Sequence, residues 1–485
     1  MRTLTRSRHV VLFAAFAVLA GFAGAQVASG AGLDARTFVN HGLVGVGRVP
    51  HNFKDKFGET FGSFSALAFA PGSWHREADG SYTGTLLGQP DRGYNASYTT
   101  NYTPRLNKLA VRFQPATADD TAQNQVSLTL TDTIKYTDST GTPLTSLDPT
   151  ASGSAVRAGF PALPQAFNGR ISLDAEGIAV NADGTLWVSD EYGPYLYKFS
   201  AEGKMLAAIR PPEAIIPKRN GADSFAANSP GKGQPAPSPI DPATGRQNNQ
   251  GIEGLGLSPD GHTLFALLQS ATRQDGGEGS SSPRGNTRLL AYDLSGAVPV
   301  LKGEYILPLP THPQKNTVRV AAQSDLLVLS NTQMLVLARD SGVGHGTELA
   351  SVYRHVLVYD LGGATNIAGT AFDQPGTPVA PGGVLDASVK PATRTELVDL
   401  NNAAQLARFG LHNGPPDNAN NLSEKWEGMA LVPALDAAAP NDWFLFIGND
   451  NDFLTTQGFQ AGETYNAGVD NDTMVLVYRL TLPGR

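Results

Sequence analysis

The stretch Asp174–Tyr195, DAEGIAVNADGTLWVSDEYGPY, decides the fold class that we predict for this chain. Glu176 precedes a short apolar run, which is followed by the turn sequence Asn-Ala-Asp-Gly. The glycine of this turn can adopt the positive φ that a tight hairpin requires. A second β-rich run, 185–189, leads directly into Asp190 and Glu191. We therefore predict a two-stranded hairpin with acidic residues at its start and at its end.

Much of the chain repeats this pattern. Runs that resemble the first strand, or that carry an acid near the same place, are Phe64–Phe69, Ala175–Val180, Ile252–Leu257, Ser324–Leu329 and Trp426–Leu431. Each run is followed by two further β-rich runs, and a fourth run is visible in several repeats. Four short antiparallel strands per repeat, arranged around a channel, are typical of a β-propeller.

The spacing of the repeats predicts five visible blades and leaves room for a sixth or more. The intervals exceed the roughly 40–50 residues of a bare blade, which predicts long loop insertions. Candidate insertions are Tyr136–Asn168, Lys218–Asn249, Gly276–Asn286 and Gly362–Lys390. The segment Gly42–Val49 can supply the fourth strand of the last repeat, so that an N-terminal strand closes the ring and removes exposed sheet edges. We therefore expect a single all-β propeller of four-stranded blades. A pair of β-sandwiches is the alternative fold, but it would not explain the repeated acid.

The first 25 residues have the features of a signal peptide. Three arginines precede an apolar run of 13 residues, Val10–Phe22, and Ala-Gly-Ala follows at 23–25. This run is shorter than the roughly 20 residues that span a bilayer, and small residues mark the cleavage site near Ala25. We predict a secreted or periplasmic protein, with 26–485 forming the propeller domain and no membrane span in the mature chain.

The composition excludes several classes of function. Removing residues 1–25, which contain three arginines and no acid, changes the formal net charge from −8 to −11. Such a negative surface argues against nucleic acids and anionic membranes as partners. It does not exclude an anionic substrate, because bound divalent cations can invert the local charge. The absence of cysteine excludes disulfides, thiol catalysis and cysteine–metal sites.

Glu176, Glu253 and Glu427 occupy equivalent positions in three predicted innermost strands, so ring closure would bring them together. Neighbouring carboxylates repel each other unless cations neutralise them, and oxygen ligands in a roomy site favour Ca²⁺. We therefore predict a shared Ca²⁺ site with these three glutamates as catalytic residues. In the alternative interpretation, each Glu-Gly pair is a turn whose carboxylate accepts backbone hydrogen bonds.

Further acids and bases extend this candidate site. The complete predicted set of metal ligands is Glu176, Asp190, Glu191, Glu253, Glu427, Asp450 and Asp452. Three bases stand next to acids or close to them in the sequence and could orient an anionic group, namely Arg92, Arg339 and Lys425. Alternatively, each base forms a salt bridge with its acidic neighbour. The chain has no Gly-x-Ser-x-Gly elbow, nucleotide-binding glycine loop or His-Glu-x-x-His motif. The remaining carboxylates and bases suit metal-assisted hydrolysis.

Five ordered motifs, between about Phe64 and Phe453, resemble the phytase-like family, also described as "esterase-like activity of phytase". They are Asp91-Arg92-Gly93, Glu176-Gly with Trp187–Pro194, Gly251–Leu255 with Leu267–Ser270, Ser324-Asp-Leu with Leu337–Asp340, and Trp426-Glu-Gly with Gly448–Phe453. The resemblance implies a β-propeller, an exported protein, and hydrolysis of phosphate esters or other esters.

Three hypotheses of function follow. The leading one is an exported, metal-dependent hydrolase of phosphate esters or related esters, which acts on a small anionic or ester substrate. The second is a non-catalytic propeller that binds a partner and uses Ca²⁺ only for structure. The third is a sugar-lactone hydrolase, which would also use a metal and acids in the channel.

Overall fold

The computed structural model describes residues 38–276, 283–314 and 316–483. The predicted signal peptide and part of the predicted 276–286 insertion lie outside these residues. Within the described ranges, no helix is both long enough and apolar enough to cross a membrane.

The described residues form an all-β chain, as predicted, with two short α-helices, α1 (Arg273–Gly276) and α2 (Ala403–Arg408), and two 3₁₀ turns, Ala371–Asp373 and Pro381–Gly383. In chain order the strands are β1 (Val39–Val49), β2 (Ala66–Phe69), β3 (His75–Arg76), β4 (Tyr82–Gln89), β5 (Arg105–Phe113), β6 (Val126–Lys135), β7 (Ser154–Ala155), β8 (Leu163–Pro164), β9 (Ala175–Val180), β10 (Leu186–Asp190), β11 (Leu196–Phe199), β12 (Met205–Ile209), β13 (Lys218–Arg219), β14 (Ala222–Asp223), β15 (Ile252–Leu257), β16 (Thr263–Leu268), β17 (Asn286–Asp293), β18 (Val300–Pro308), β19 (Thr311–Gln314), β20 (Thr317–Val320), β21 (Ala322–Val328), β22 (Gln333–Arg339), β23 (Arg354–Asp360), β24 (Thr393–Asp399), β25 (Lys425–Pro433), β26 (Asp442–Asp450), β27 (Gly458–Gln460), β28 (Glu463–Tyr465) and β29 (Thr473–Thr481).

Twenty of these strands pair in five antiparallel groups of four. The groups are β2-β4-β5-β6, β9-β10-β11-β12, β15-β16-β17-β18, β21-β22-β23-β24 and β25-β26-β29-β1. The first and last groups join into a nine-stranded sheet, because β1 meets β6 in parallel at Gly47 and Val126 and β3 adds to β4. The other eight strands form two-stranded hairpins, which are β7-β8, β13-β14, β19-β20 and β27-β28. The predicted pairing of Gly42–Val49 with the end of the chain is confirmed by the ladder between β1 and β29.

The first strand of each group, which we call the inner strand, contacts the inner strands of two other groups. The contacts run in cyclic order through β2, β9, β15, β21 and β25, and β25 contacts β2 again. Residues of all five inner strands line one apolar channel of about 170 Å³. The inner strands therefore surround a common space.

A bulge recurs at the same register in four of these inner strands. Glu253 is the extra residue between the pairs Ile252–Leu268 and Gly254–Leu267. Glu427 and Ser324 are the extra residues at the corresponding positions of β25 and β21. In β9 the bulge contains Glu176 and the glycine after it. Because a bulge redirects a side chain, it can turn all three glutamates away from the regular pleat.

The glycine that follows each glutamate lets the next inner strand approach closely. An added Cβ would lie 2.3 Å from a backbone oxygen at Gly177, 2.7 Å from a side-chain carbon at Gly254 and 2.8 Å from a backbone oxygen at Gly428. In β21 this position holds Asp325, whose Oδ2 accepts the backbone N–H of Met429 at 2.6 Å. In each Glu-Gly motif, the glutamate therefore supplies an acid, and the glycine after it is the point of close contact with the neighbouring inner strand.

We expect Gly428→Ala to lower the free energy of unfolding by about 1–3 kcal/mol, because the methyl group would overpack the contact between β25 and β2. Urea denaturation measures this loss. Gly376→Ala is the matched control, since no atom lies within 4 Å of its added Cβ. Equal stability of the two variants would contradict this account of the motif.

Candidate active site

A cavity of about 170 Å³ receives side chains from all five groups of strands. The twelve residues that line it are Asp91, Arg92, Asn95, Glu176, Glu191, Asn249, Glu253, Gln269, Arg339, Lys425, Glu427 and Asp452. The three glutamates from the inner strands therefore lie in one cavity, together with three further acids. The three predicted bases line it as well. Beyond the glutamates, the inner strands continue into the apolar channel.

The glutamates lie in a poorly hydrated and strongly negative environment. Glu176, Glu253 and Glu427 are only 6%, 4% and 3% exposed. Burial, followed by repulsion from Glu253, raises the pKa of Glu176 well above its ordinary value. Burial and the charges of Glu191 and Glu427 raise the pKa of Glu253 in the same way. Such a cluster holds protons or cations at neutral pH, because the fully ionised form is unfavourable.

Asp174, Glu176 and Glu191 form the first acidic group, which we call the Glu176 cluster. One carboxylate oxygen from each residue lies within 4.8 Å of the others. Arg92 Nη1 donates to Asp174 Oδ2 at 3.2 Å and also to Asn249 Oδ1. Burial raises the pKa of Asp174 to about 8, although Arg92 opposes this shift. The Glu176 carboxylate accepts no hydrogen bond from another described residue.

Asp91, Asp450 and Asp452 form the second acidic group, with oxygens again within 4.8 Å of one another. Lys425 Nζ lies 2.6 Å from Asp450 Oδ2, 2.8 Å from Asp452 Oδ1 and 3.9 Å from Asp91 Oδ2. Burial alone would lower the pKa of Lys425, but these carboxylates raise it well above the ordinary value. We call this group the Lys425 cluster. The ammonium group of Lys425 already neutralises part of its negative charge.

The third base is also paired with a carboxylate. Arg339 Nη2 donates to Glu427 Oε1 at 2.5 Å, and Arg339 Nε donates to Ser324 Oγ at 3.1 Å. Ser324 thus occupies the bulge position of β21 and orients a base instead of supplying an acid. All three bases that line the cavity form ion pairs, mostly with acids that are distant in sequence.

Asp190, one of the predicted metal ligands, does not line the cavity. Its Oδ1 accepts the backbone N–H groups of Tyr192 at 2.9 Å and Asp174 at 3.2 Å. Its Oδ2 accepts from Gly193 N at 2.9 Å and from the Tyr197 hydroxyl at 3.3 Å. The carboxylate therefore holds the loop after β10. Another predicted ligand, Asp450, is also not among the residues that line the cavity, and its Oδ2 lies 2.6 Å from Lys425 Nζ.

Five residues at the site were not predicted from the sequence, namely Asp91, Asn95, Asp174, Asn249 and Gln269. Asp174 stands two residues before Glu176, and this spacing places both side chains on one face of an extended segment. Asp91 adjoins Arg92 in the Asp-Arg-Gly motif, of which only the arginine was predicted to act at the site. Asn249 and Gln269 carried no comparable signal, because their roles depend on contacts across the cavity.

Comparison with known proteins identifies the family of this chain. Residues 59–453 match the family "Phytase-like", described as esterase-like activity of phytase. The chain belongs to this phytase-like family. The resemblance that the sequence motifs predicted is thereby confirmed. A relative from Arthroderma benhamiae, described as an uncharacterized secreted protein, is 41% identical over 455 residues, which cover 87% of this chain and 88% of the relative.

Two solved structures show only distant similarity to this phytase-like protein. The allergen Mala s 1 of Malassezia sympodialis aligns with a TM-score of 0.30 and 9% identity, over 87% of this chain and 80% of the allergen. PorZ of Porphyromonas gingivalis aligns with a TM-score of 0.29 and 13% identity, over 86% of this chain and 37% of PorZ. Similarity at this level supports no inference about function.

Proposed function

We propose that the five groups of strands are the blades of one β-propeller, and that the acidic cavity is the active site of a Ca²⁺-dependent hydrolase of phosphate esters or related esters. The cyclic contacts of the inner strands and their common channel support the propeller. The observation that carries the activity is the convergence of six acids and three ion-paired bases in one buried cavity. Family membership agrees with an esterase-like or phytase-like reaction.

The charge balance of the cavity explains why a cation is required. With every group ionised, the six acids and three bases leave an excess of three negative charges. Asp174 and Asp450, which bind Arg92 and Lys425, add two more. An anionic ester would be repelled from this cavity, and none of the lining bases is left unpaired. Divalent cations can reverse the local sign.

The Glu176 cluster fits Ca²⁺ better than the Lys425 cluster does. Asp174, Glu176 and Glu191 offer only oxygen ligands, and their mutual spacing of less than 4.8 Å is compatible with Ca–O distances of about 2.3–2.6 Å. In the Lys425 cluster the ammonium group already lies among the carboxylates. When bound, Ca²⁺ would supply positive charge that polarises the ester and favours attack by water.

Glu253 is suited to hold and transfer a proton. Gln269 Nε2 donates to Glu253 Oε1, which leaves Oε2 free to carry the proton. The raised pKa keeps this carboxyl protonated closer to neutral pH, as a general acid requires. We propose that Oε2 protonates the leaving oxygen of the ester. Arg339 donates to Glu427 Oε1 and thereby fixes the carboxylate of Glu427, which lines the same cavity.

We also propose that the mature protein is exported. The relative from Arthroderma benhamiae is described as secreted, and residues 1–25 have the sequence pattern of a signal peptide. Export would place the cavity in surroundings where millimolar Ca²⁺ is common, in keeping with an extracellular type of site.

Hydrolysis by the purified 26–485 protein tests this proposal. The substrates are phytate, 4-nitrophenyl phosphate, 4-nitrophenyl acetate and a sugar lactone, each assayed in EGTA and after Ca²⁺ is added back. We expect ester turnover to disappear in EGTA and to return with Ca²⁺. Turnover that EGTA does not change would contradict the proposal, as would thermal stabilisation by Ca²⁺ without turnover of any substrate. Turnover of the lactone alone would support the lactonase alternative.

The stability of the metal-free protein should fall as the pH rises from about 4 to 8. Asp174 has a folded-state pKa of about 8, whereas an unfolded aspartate titrates near pH 3.9, at about the model-peptide value. Between these values the folded state binds the extra proton, so raising the pH favours unfolding. Urea denaturation in EGTA at several pH values measures the slope. Asp174→Asn should flatten it, and an equal slope in wild type and variant would refute the prediction.

A further inference from the structure

A second cleft, lined by tyrosines, lies next to the acidic cavity. It has a volume of about 150 Å³, and Tyr94, Tyr98 and Tyr465 supply its aromatic side chains. The polar residues at this cleft are Ser97, Thr100, Gln460, Glu463 and Thr464. The proposed reaction does not use any of these residues.

The two cavities share their walls. Arg92 and Asn95 line the acidic cavity, whereas Tyr94 and Ala96 line the tyrosine cleft, so one short loop separates the two spaces. On the opposite side, the segment after Asp452 leads to the cleft. The Tyr465 hydroxyl donates to the backbone oxygen of Phe453, the residue after Asp452, at 2.8 Å. The acidic cavity and the tyrosine cleft are therefore adjacent.

The shape of the cleft is fixed by contacts among its own residues. The rings of Tyr94 and Tyr465 stack with centroids 4.1 Å apart and planes 7° apart. Gln460, which is 5% exposed, accepts the backbone N–H of Tyr94 at 2.8 Å. Its amide nitrogen donates to Tyr94 O at 3.2 Å and to Thr100 Oγ1 at 2.5 Å. A cleft held in this way loses little freedom when a ligand binds.

The chemistry of the cleft favours an aromatic ring over a sugar. Both polar ends of the buried Gln460 side chain are already used within the protein. Ser97, Glu463 and Thr464 are exposed at the rim. The cleft thus offers mainly tyrosine rings, and its buried amide is already hydrogen-bonded within the protein. An engineered cavity of about 150 Å³ in another protein holds one benzene molecule, and aromatic pairs gain energy beyond simple burial.

We propose that the tyrosine cleft binds an aromatic ring in the leaving group of the ester whose reacting group lies in the acidic cavity. This assignment rests on the proposed hydrolase function for the reacting group and makes aryl esters the preferred substrate class. Tyr98 is the residue to test, because its side chain forms no hydrogen bond with another described residue. It contacts Lys232, whose Nζ lies 5.5 Å from the ring centroid.

The first experiment measures binding without turnover. Saturation-transfer NMR in EGTA compares phenol with methyl α-glucoside on wild type, Tyr98→Ala and the control Phe57→Ala, which alters an aromatic side chain 45% exposed outside the cleft. We expect phenol affinity to fall about tenfold in Tyr98→Ala alone. The assignment would be overturned if wild type bound the glucoside as tightly as phenol, or if Tyr98→Ala bound phenol as tightly as wild type does. Should Tyr98→Ala fail to fold, Ser97→Trp at the exposed rim should block phenol.

The second experiment measures selectivity in the presence of Ca²⁺. The ratio of kcat/KM for phenyl phosphate to that for methyl phosphate should fall about tenfold in Tyr98→Ala and stay constant in Phe57→Ala. If phenol binding depends on Tyr98 but no ester is hydrolysed, the proposed hydrolase activity is refuted, while the proposal that the cleft binds an aromatic ring stands. If esters are hydrolysed with the same selectivity by Tyr98→Ala and wild type, the proposed role of the cleft is refuted, while the proposed hydrolase activity stands.

Discussion

Glu176→Gln is expected to abolish the thermal stabilisation by Ca²⁺ and to lower kcat/KM by roughly 100-fold or more, beyond the loss typical of residues that only support metal ligands. The amide keeps the shape of the side chain, and no hydrogen bond is lost, since no other described residue donates to this carboxylate. In EGTA the variant should melt at a higher temperature than wild type, because neutralising Glu176 removes its repulsion from Glu253 and Asp174. The two effects therefore have opposite signs, and a merely destabilising substitution would not produce this combination.

Melting temperatures in EGTA and in excess Ca²⁺, measured on wild type and variant, check this expectation. Glu202→Gln is the control, since Glu202 is exposed and the substitution removes the same single charge. It should leave the Ca²⁺-induced shift and the activity unchanged. A Ca²⁺-induced shift that survives in Glu176→Gln would show that the Glu176 cluster is not the cation site.

Local sequence patterns predicted the strands well, and they failed where the backbone pairs with distant segments. The predicted runs Ala175–Val180 and Ile252–Leu257 have the same bounds as β9 and β15. The run predicted as a strand from Phe64 begins its pairing with β4 only at Ala66. Phe64 N instead donates to Asn449 O, and Phe64 O accepts from Gly428 N. No property of the residues near Phe64 indicates this contact with the opposite end of the chain.

The site residues that belong to a repeated motif could be predicted from the sequence. The partners of each residue could not, because they are set by contacts between distant parts of the chain. The repeated Glu-Gly pair identified the glutamates that line the cavity, because equivalent positions in a repeat meet around a common axis. The same reasoning could not pair Arg92 with Asp174, 82 residues away, or Arg339 with Glu427, 88 residues away. Asp190 shows that an acid at a strand end can instead accept backbone hydrogen bonds from the loop that follows it. The bulges that aim the glutamates have no sequence signature beyond the following glycine.

Arg288→Met is expected to lower the free energy of unfolding by about 3–5 kcal/mol, because it leaves buried carboxylates without a counter-charge. Arg288 Nη2 lies 2.9 Å from Asp275 Oδ2, and Nη1 lies 2.6 Å from Glu304 Oε1. All three side chains are fully buried, and Arg288 also donates to Phe372 O in the 362–390 insertion. The network therefore joins β17 and β18 to an insertion outside the acidic cavity. Arg112→Met is the control, since Arg112 forms a 2.6 Å pair with Asp79 at 55% and 56% exposure.

The pH dependence of Arg288→Met separates the loss of charge pairing from the loss of packing. Burial raises the pKa of Glu304 to about 8 even with Arg288 present, and removing the guanidinium removes a group that lowers it. Because the folded wild type releases this proton near pH 8 and the folded variant releases it only at a higher pH, the destabilisation should grow as the pH rises from about 7 to about 9. Urea denaturation at both pH values measures this growth, whereas Arg112→Met should cost about 0–1 kcal/mol at each. A loss in Arg288→Met that is equally large at about pH 7 and about pH 9 would assign the cost to packing and contradict the role of charge.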